Sequence, residues 1–344
     1  MPSVLIERLY ALLYGGLLSR LPEARAVRLG QTLLRLLPVE GISAFRREDP
    51  RLAVTLGGVR LPNPVILSSM YYDTAILRKA MALGFGAVTT KSITPAPRPG
   101  HPEPALVRRS SALGPGFVNC NGFKNPGLAA YRGALAGFRR TRPLIVSVAG
   151  ESVEEYRAMV EGLERYADLV EVNISSPNTR LVYQLSASPE RVRALLKEVR
   201  AATARPLVVK LSPDYLEENF RAIVPAALEV GVEVVNFGNT RRVEAPGLSQ
   251  GAGGLSGPEL FETVLGTVRR LREGFGPGFG LIATGGIDTP AKALQALETG
   301  ADAVGYFTGF ITRGPGLARR ILDALLEAVE RRGLPGVSAL RTAR

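Results

Sequence analysis

The segment from residue 144 to residue 174 reads LIVSVAGESVEEYRAMVEGLERYADLVEVNI. Two short apolar runs, Leu144–Ala149 and Leu169–Ile174, enclose a helical pattern over Ser152–Tyr166. Ser152 stands just before a glutamate-rich first turn, which is typical of a helix N-cap. Two apolar strands joined by a helix are typical of a parallel βαβ unit. The segment therefore predicts an α/β fold with a parallel sheet.

The same alternation continues through most of the chain. Six further apolar runs predict strands at Val65–Ser69, Ala87–Lys91, Leu207–Leu211, Val234–Gly238, Leu281–Thr284 and Ala303–Phe307. Helical patterns lie at Pro189–Thr203, Glu217–Val230, Gly257–Arg272, Thr289–Thr299 and Pro315–Arg331, with Ser188 as a further N-cap. Eight such units predict a closed (β/α)8 TIM barrel over residues 51–335. An open doubly wound sheet is the alternative, but the first strand lacks the glycine-rich dinucleotide fingerprint.

Two segments fall outside this pattern. Residues 92–143 are too long for one crossover helix and contain several prolines, so we interpret them as an excursion over the barrel mouth that ends in a helix near Ala129–Phe138. Residues 1–40 predict an N-terminal extension of two short amphipathic helices that meet at Pro22. Its role stays open between an interfacial membrane anchor and a helical cap packed on the barrel or on a partner subunit.

Composition excludes several classes of protein. The chain has 344 residues and 46% apolar content, enough for a large core. A single cysteine, Cys120, excludes an intrachain disulfide and fits a reducing cytosol, and a single histidine, His101, leaves no multi-histidine metal site. We interpret Cys120 as a packing residue and His101 as a surface residue, and we expect no metal. No uninterrupted apolar run reaches the roughly 18 residues that a membrane span needs.

The formal net charge is +12, from 43 basic and 31 acidic residues. Such a balance suits nucleic acid, an anionic membrane surface or anionic ligands. The arginines are scattered and no nucleic-acid-binding motif appears, so we expect no nucleic-acid partner. Arginine-rich compositional bias accounts for much of the charge.

Polar side chains follow the predicted strands at the ends where barrels place their active sites. They are Ser69, Lys91, the Asn173–Asn178 loop, Lys210 and Asn239 with Thr240. In that loop, Asn173 and Asn178 flank Ser176. Carboxamides both donate and accept hydrogen bonds, which suits a planar ligand edged with carbonyl and N–H groups, and Ser176 is placed to move a proton. The sequence therefore predicts one polar pocket at the barrel mouth.

Three glycine-containing segments indicate a bound phosphate. They are the loop Gly251–Gly257, the pair Gly285 and Gly286, and Thr308 with Gly309. Backbone N–H groups at a helix start can cradle a phosphate, and barrels often place one after their last two strands. Each segment alone is a weak signal. Together they favour a phosphate-bearing cofactor, for which flavin mononucleotide (FMN) is the natural candidate.

These motifs resemble the dihydroorotate dehydrogenase family over nearly the whole chain. The matching stretches are Thr90–Thr94, Pro97–Gly100, Asn119, Gly122–Asn125, Asn173–Asn178, Lys210, Asn239–Thr240, Gly253–Gly257 and Thr284–Ile287. The resemblance implies a (β/α)8 barrel that binds FMN and oxidises (S)-dihydroorotate to orotate in pyrimidine synthesis. It implies hydride transfer from substrate C6 to flavin N5 and proton transfer from C5 to Ser176. Because a serine hydroxyl is a weak base, we expect a relay through an asparagine or water.

The resemblance also assigns binding residues. For the substrate they are Asn119, Gly122, Phe123, Asn173, Asn178, Asn239 and Thr240. For FMN they are Ser69, Lys91, Ser92, Asn173, Lys210, Gly254, Gly257, Gly285, Gly286, Phe307 and Thr308. Lys210 would lie near the flavin ring, where a cation stabilises negative charge on the reduced cofactor.

Features of two family branches are combined here. Ser176 as the base and the N-terminal extension are similar to the membrane-associated branch that passes electrons to quinone. Thr90–Ser92 and Ser147–Ser152 resemble the soluble branch that uses fumarate. We favour the quinone branch, with a cytoplasmic protein that is peripheral on the inner face of the cell membrane. The alternatives are a soluble enzyme with fumarate or another acceptor, or a related flavoprotein for another pyrimidine. A homodimer is one option for the assembly.

Three features depart from the family pattern. Met70 stands where the family has glycine after the first strand, the usual Pro-Gly after Asn178-Thr179 is missing, and Asn121 stands where methionine is usual. The first change bears on the contact with the flavin ring. The second shortens the loop that carries Ser176 and bears on its closure over the substrate.

Overall fold

The computed structural model describes residues 2–175, 188–214 and 217–341. In chain order its strands are β1 (Val54–Leu56), β2 (Val59–Leu61), β3 (Val65–Tyr71), β4 (Ala87–Thr90), β5 (Leu106–Ser111), β6 (Gly114–Asn119), β7 (Leu144–Val148), β8 (Leu169–Asn173), β9 (Leu207–Leu211), β10 (Val234–Phe237), β11 (Arg241–Glu244), β12 (Ala252–Ser256), β13 (Gly280–Thr284) and β14 (Ala303–Tyr306). Its helices are α1 (Pro2–Gly16), α2 (Glu23–Leu36), α3 (Thr74–Ala82), α4 (Gly127–Ala136), α5 (Val153–Leu163), α6 (Pro189–Ala201), α7 (Glu217–Glu229), α8 (Phe261–Phe275), α9 (Pro290–Thr299), α10 (Thr308–Arg313) and α11 (Leu317–Arg331).

Eight parallel strands close into a barrel in the order β10-β13-β14-β3-β4-β7-β8-β9. Each of the eight predicted apolar runs forms one of these strands, and helices cover the outside, so the predicted (β/α)8 barrel is confirmed and the open sheet is excluded. The two predicted N-caps are also present. Ser152 Oγ accepts from the Glu155 N–H at 3.2 Å, and Ser188 Oγ accepts from the Arg191 N–H at 3.4 Å.

Parallel pairing sets which side chains share a level inside the barrel. Lys210 on β9 pairs in register with Asn173 on β8 and with Asn236 on β10. Residues paired in this way point to the same face of the sheet. Three polar side chains from three adjacent strands therefore lie in one layer near the carboxyl end of the barrel.

A four-stranded antiparallel sheet, in the order β11-β12-β6-β5, forms beside the barrel mouth. The excursion over residues 92–143 does end in a helix, α4, but it also contains the hairpin β5–β6, which the sequence did not predict. Gly251–Gly257 was predicted as a loop, and this was wrong because most of it is strand β12. Its glycines allow close packing: a Cβ at Gly254 would lie 2.0 Å from Thr240 Oγ1.

The N-terminal extension forms the two predicted helices, α1 and α2, with a short 3₁₀ turn before Pro22. Arg108 on β5 holds this joint, because its guanidinium donates to the Leu18 and Leu21 carbonyls at 2.9 and 2.8 Å and pairs with Glu23 at 3.1 Å. The extension is thereby attached to the hairpin.

The far end of the extension is attached to the barrel itself. The buried Lys79 ammonium on α3 donates to Glu40 Oε2 at 2.6 Å and to the Leu37 carbonyl at 2.8 Å. Arg35 on α2 donates to Asp73 Oδ2 through Nε at 2.8 Å. In the part of the chain described here, no helix is long and apolar enough to cross a membrane.

The hydrophobic core lies inside the barrel and between the strands and their helices. A second small cluster under the antiparallel sheet contains Cys120, which is buried as expected for a packing residue. His101 is half-buried rather than on the surface. Its Nδ1 lies 2.7 Å from the Cys120 carbonyl, and its ring packs against Gly122, where a Cβ would lie 3.0 Å from Nε2.

Candidate active site

A cavity of about 530 Å³ opens at the carboxyl ends of the barrel strands and extends between α1 and α2. The predicted site residues that line it are Ser69, Lys91, Asn119, Lys210, Asn239, Thr240, Gly257, Gly285, Gly286, Phe307 and Thr308. These residues come from the ends of six barrel strands and from the antiparallel sheet. The fold therefore brings most of the predicted site into one space.

Other predicted residues lie behind the cavity wall. Asn173 and Ser92 are buried, and the Asn173 amide donates to Ser92 Oγ at 2.7 Å. Gly254 lies under the side chain of Thr240. Ser176 and Asn178 lie outside the described residues, so their roles stay predictions.

Ser175 fixes the relative positions of two carboxamide side chains that are predicted to bind the substrate. Its hydroxyl donates to Asn173 Oδ1 at 2.7 Å and accepts from Asn239 Nδ2 at 2.7 Å. Its backbone N–H also donates to Asn173 Oδ1 at 3.0 Å. Because Ser175 is buried, this network sets both carboxamides in a fixed orientation immediately before Ser176.

The predicted Gly122–Phe123 segment forms a tight turn beside Asn119. Both residues have left-handed backbone, with φ of 58° and 55°. This conformation is uncommon for an aromatic residue and must be held by its surroundings. Asn125 holds it here: its Nδ2 donates to the Phe123 carbonyl at 2.6 Å, and its Oδ1 accepts from the Gly127 N–H at 2.8 Å.

Two lysines place positive charge at the barrel end of the cavity. Lys210 is only 5% exposed and Lys91 is half-buried. Within the described ranges, neither ammonium has a carboxylate or hydrogen-bond partner. Burial lowers the pKa of Lys91 to about 8, with a smaller contribution from the charge of Lys124. Cations held without counter-ions in a cavity favour an anionic ligand.

The glycine segments leave their backbone uncovered by side chains at the wall of the same cavity. Gly257, Gly285 and Gly286 all have positive φ and all line it. A Cβ at Gly286 would lie 2.4 Å from the Phe261 backbone nitrogen, so only glycine fits there. Backbone N–H groups without side chains above them can approach a phosphate closely. Together with the unpaired lysines, this arrangement fits an anionic, phosphate-bearing flavin.

Met70 lies in an irregular part of strand β3. The pairing of β3 with β4 shifts register between Leu67 and Tyr71, the stretch that contains Met70. Met70 lines the cavity, and the next residue, Tyr71, packs edge-on against Phe307 with ring centroids 5.2 Å apart.

The part of the cavity between the N-terminal helices is largely apolar. Tyr10 and Tyr14 of α1 stack with ring centroids 6.3 Å apart, and Tyr10 donates to the Ile311 carbonyl at 2.7 Å. Burial raises the pKa of Tyr10, so its phenol stays neutral. Helix α2 adds Val27, Leu34 and other aliphatic side chains. This region suits an apolar ring system that enters from the side of the helices.

Sequence reasoning missed a polar chain inside the barrel. Asn236 Nδ2 donates to Glu171 Oε2 at 2.7 Å, and Thr284 Oγ1 donates to Asn236 Oδ1 at 2.7 Å. Glu171 is completely buried, whereas Thr284 lines the cavity. A signal was present: Glu171 is the one charge in an apolar strand and stands two residues before Asn173, hence on the same face.

A family model described as Dihydroorotate dehydrogenase matches residues 51–329, which cover the barrel. The chain belongs to the dihydroorotate dehydrogenase family. Among its relatives, Dihydroorotate dehydrogenase (quinone) of Thermobifida fusca is 35% identical over 365 residues, covering 96% of this chain and 95% of the relative. The enzyme of the same name from Mesorhizobium japonicum is 33% identical, covering 91% of this chain and 95% of the relative.

A solved structure supports the same assignment. Ligand-free dihydroorotate dehydrogenase (DHODH) from Eimeria tenella superposes with a TM-score of 0.81 at 26% identity, covering 91% of this chain and 98% of that chain. The dihydroorotate dehydrogenase family predicted from the motifs is therefore confirmed.

Proposed function

We propose that this chain oxidises dihydroorotate to orotate with bound FMN and passes the electrons to a quinone that enters between α1 and α2. The observation that carries the proposal is the single cavity, which joins the polar family residues to the apolar space between the helices. The relatives named as quinone-dependent enzymes support the choice of acceptor.

The described residues suggest a division of labour. The family is flavin-dependent, and FMN, when bound, supplies a two-electron acceptor. Lys91 and Lys210 hold its negative groups and the substrate carboxylate, while Gly257, Gly285 and Gly286 accept the phosphate against open backbone. Asn173 and Asn239, oriented by Ser175, hold the edge of the substrate ring.

Ser176 is proposed as the base that removes the C5 proton. It follows directly after Ser175, which is fixed by hydrogen bonds to both carboxamides. An asparagine-oriented water would complete the relay that a serine base needs. This role rests on the family resemblance, because Ser176 lies outside the described residues.

The outer faces of α1 and α2 are proposed to dock on a membrane surface. Large side chains there are strongly exposed, with Leu12 at 71% and Leu36 at 75%. Arg25, which is exposed on α2, suits anionic headgroups. A peripheral position would give the space between the helices direct access to quinone. It is also consistent with a location on the inner face of the cell membrane.

Anaerobic spectroscopy tests the proposal. The purified protein should show a visible flavin spectrum that bleaches when dihydroorotate is added, and a quinone should restore the colour faster than fumarate does. A colourless protein, or a yellow one that stays oxidised, would contradict the proposal. Faster recovery with fumarate would instead support the soluble-branch alternative.

Affinity for FMN should depend on pH through Lys91. With a pKa of about 8, Lys91 is charged below that pH and loses its proton above it. An anion binds the charged form better, so FMN binding to the apoprotein should weaken above pH ~8, approaching a tenfold loss per pH unit. Fluorescence quenching of FMN measures this affinity.

Two variants test the role of Lys91. Lys91→Gln should bind FMN weakly with little pH dependence near pH 8, and Lys197→Gln, at an exposed position, should behave as wild type. A Lys91→Gln variant with the wild-type pH profile would exclude this role.

A further inference from the structure

Four charged side chains are buried in the described part of the chain: Lys79, Glu171, Lys210 and Asp288. Lys79 pairs with Glu40, and Asp288 pairs with Lys292 and Arg313. Glu171 and Lys210 are the remaining two, and neither makes an ion pair with a described residue. They have opposite charges and lie on the neighbouring strands β8 and β9.

Glu171 lies one layer below Lys210, because it pairs in register with Val208, two residues before Lys210. Asn236 pairs in register with Lys210, and its amide donates to Glu171 Oε2. The hydrogen bond thus runs from β10 to β8 past β9, the strand that carries Lys210. All three side chains share the interior of the barrel, and Lys210 also lines the cavity.

The carboxylate is only half satisfied. Glu171 Oε1 is buried and has no hydrogen-bond partner among the described residues. A buried carboxylate oxygen without a partner is costly unless a nearby positive charge compensates it. Lys210 is the buried cation on the adjacent strand, and it too has no ion-pair partner among the described residues. Two buried groups of opposite charge therefore lie on neighbouring strands at the floor of the site without direct contact.

The carboxylate also orients the polar chain that leads to the cavity. Asn236 turns its NH₂ toward Glu171 Oε2 and its carbonyl toward Thr284. The Thr284 hydroxyl donates to Asn236, which leaves its oxygen lone pairs for the cavity that it lines. A hydrogen-bonded chain thus joins Glu171 to the floor of the site.

We propose that Glu171 is a positioning residue that acts through Lys210 and Thr284 to weaken the positive potential on the bound flavin. The inference rests on the proposed FMN function. Since reduction adds negative charge to the flavin, a carboxylate below it lowers the midpoint potential and weakens the binding of anions such as orotate. Lys210 acts in the opposite direction.

The test is Glu171→Gln in the FMN-loaded protein. Glutamine keeps an acceptor for the Asn236 amide and removes the charge. The flavin midpoint potential should rise by about 30 mV, the equivalent of a tenfold change for a two-electron couple. Orotate, titrated by its effect on the flavin spectrum, should bind more tightly. If Glu171→Gln only disturbed packing, it would instead bind orotate more weakly. Glu154→Gln, which removes the same charge from the exposed surface of α5, should leave both quantities unchanged.

Each outcome decides between the inference and the function on which it rests. A protein that takes up no FMN overturns both. Normal FMN reduction by dihydroorotate with an unchanged potential and orotate affinity in Glu171→Gln overturns only the role of Glu171. Glu171→Val also removes the charge and introduces the same residue type as the flanking Val170 and Val172. It should show the same rise in potential. If both variants fail to fold by circular dichroism, Glu171 is structural and the inference is wrong.

Discussion

Replacement of Ser176 by alanine is expected to slow flavin reduction by dihydroorotate by about 10²–10⁴-fold, the contribution typical of a positioned general base. FMN should remain bound, because the lysines and glycines proposed to hold its negative groups lie on other strands. Orotate affinity should change little, since the carboxamides of Asn173 and Asn239 are fixed by Ser175. Stopped-flow absorbance under anaerobic conditions measures the rate.

Two further variants make this experiment specific. Ser176→Cys restores a group that can accept a proton and should recover part of the rate. Ser188→Ala removes a hydroxyl at the N-cap of α6, outside the cavity, and should cost about 1 kcal/mol of stability without slowing reduction. If Ser176→Ala reduces its flavin as fast as wild type does, the proton leaves by another route and Ser176 is not the base.

The barrel was predictable because its strands are buried on both faces. Such strands form nearly continuous apolar runs, as in Leu207–Leu211, which only Lys210 interrupts and whose predicted and observed bounds agree. Their carboxyl ends were therefore known, and Lys91, Lys210 and Asn239 could be placed in one pocket before any contact was seen. The closure of the sheet made that pocket a single cavity.

The antiparallel sheet was not predictable for a different reason. Strand β5 carries two adjacent arginines and shows no clear alternation, and β6 pairs with β12 more than 130 residues later, as in the partners Asn119 and Gly254. Such pairing depends on tertiary packing rather than on local pattern. The glycines of β12 indicated a phosphate loop when read alone, although two of them serve close packing against Asn119 and Thr240.

Two contributors to the site could not be recognised from residue type. Arg108 is one of 43 basic residues, and only its contacts with the α1–α2 joint distinguish it. Asn236 and Glu171 lie within strands, whereas barrel chemistry was sought at strand ends. Their importance depends on a hydrogen bond that spans three strands, and a sequence does not show which side chains meet across a barrel.

Removal of residues 1–38 should separate the two half-reactions. The truncated chain begins at Val39 and keeps Glu40, so the buried Lys79 retains its carboxylate partner. The barrel and its polar site remain, and flavin reduction by dihydroorotate should persist. Quinone turnover should fall by at least about 100-fold, because the walls that hold quinone against the flavin are lost. Anaerobic reduction and steady-state quinone assays, run on one preparation, measure both rates.

Arg108→Gln provides a milder form of the same test. It leaves both helices in the chain but removes the guanidinium that joins Leu18, Leu21 and Glu23 to β5. The KM for quinone should rise while flavin reduction stays at the wild-type rate, since the change loosens the joint without altering the polar site. Binding to anionic vesicles should be lost only in the truncated chain. If truncation preserves both quinone turnover and vesicle binding, quinone reaches the flavin without passing between α1 and α2, and the extension is a cap rather than an anchor.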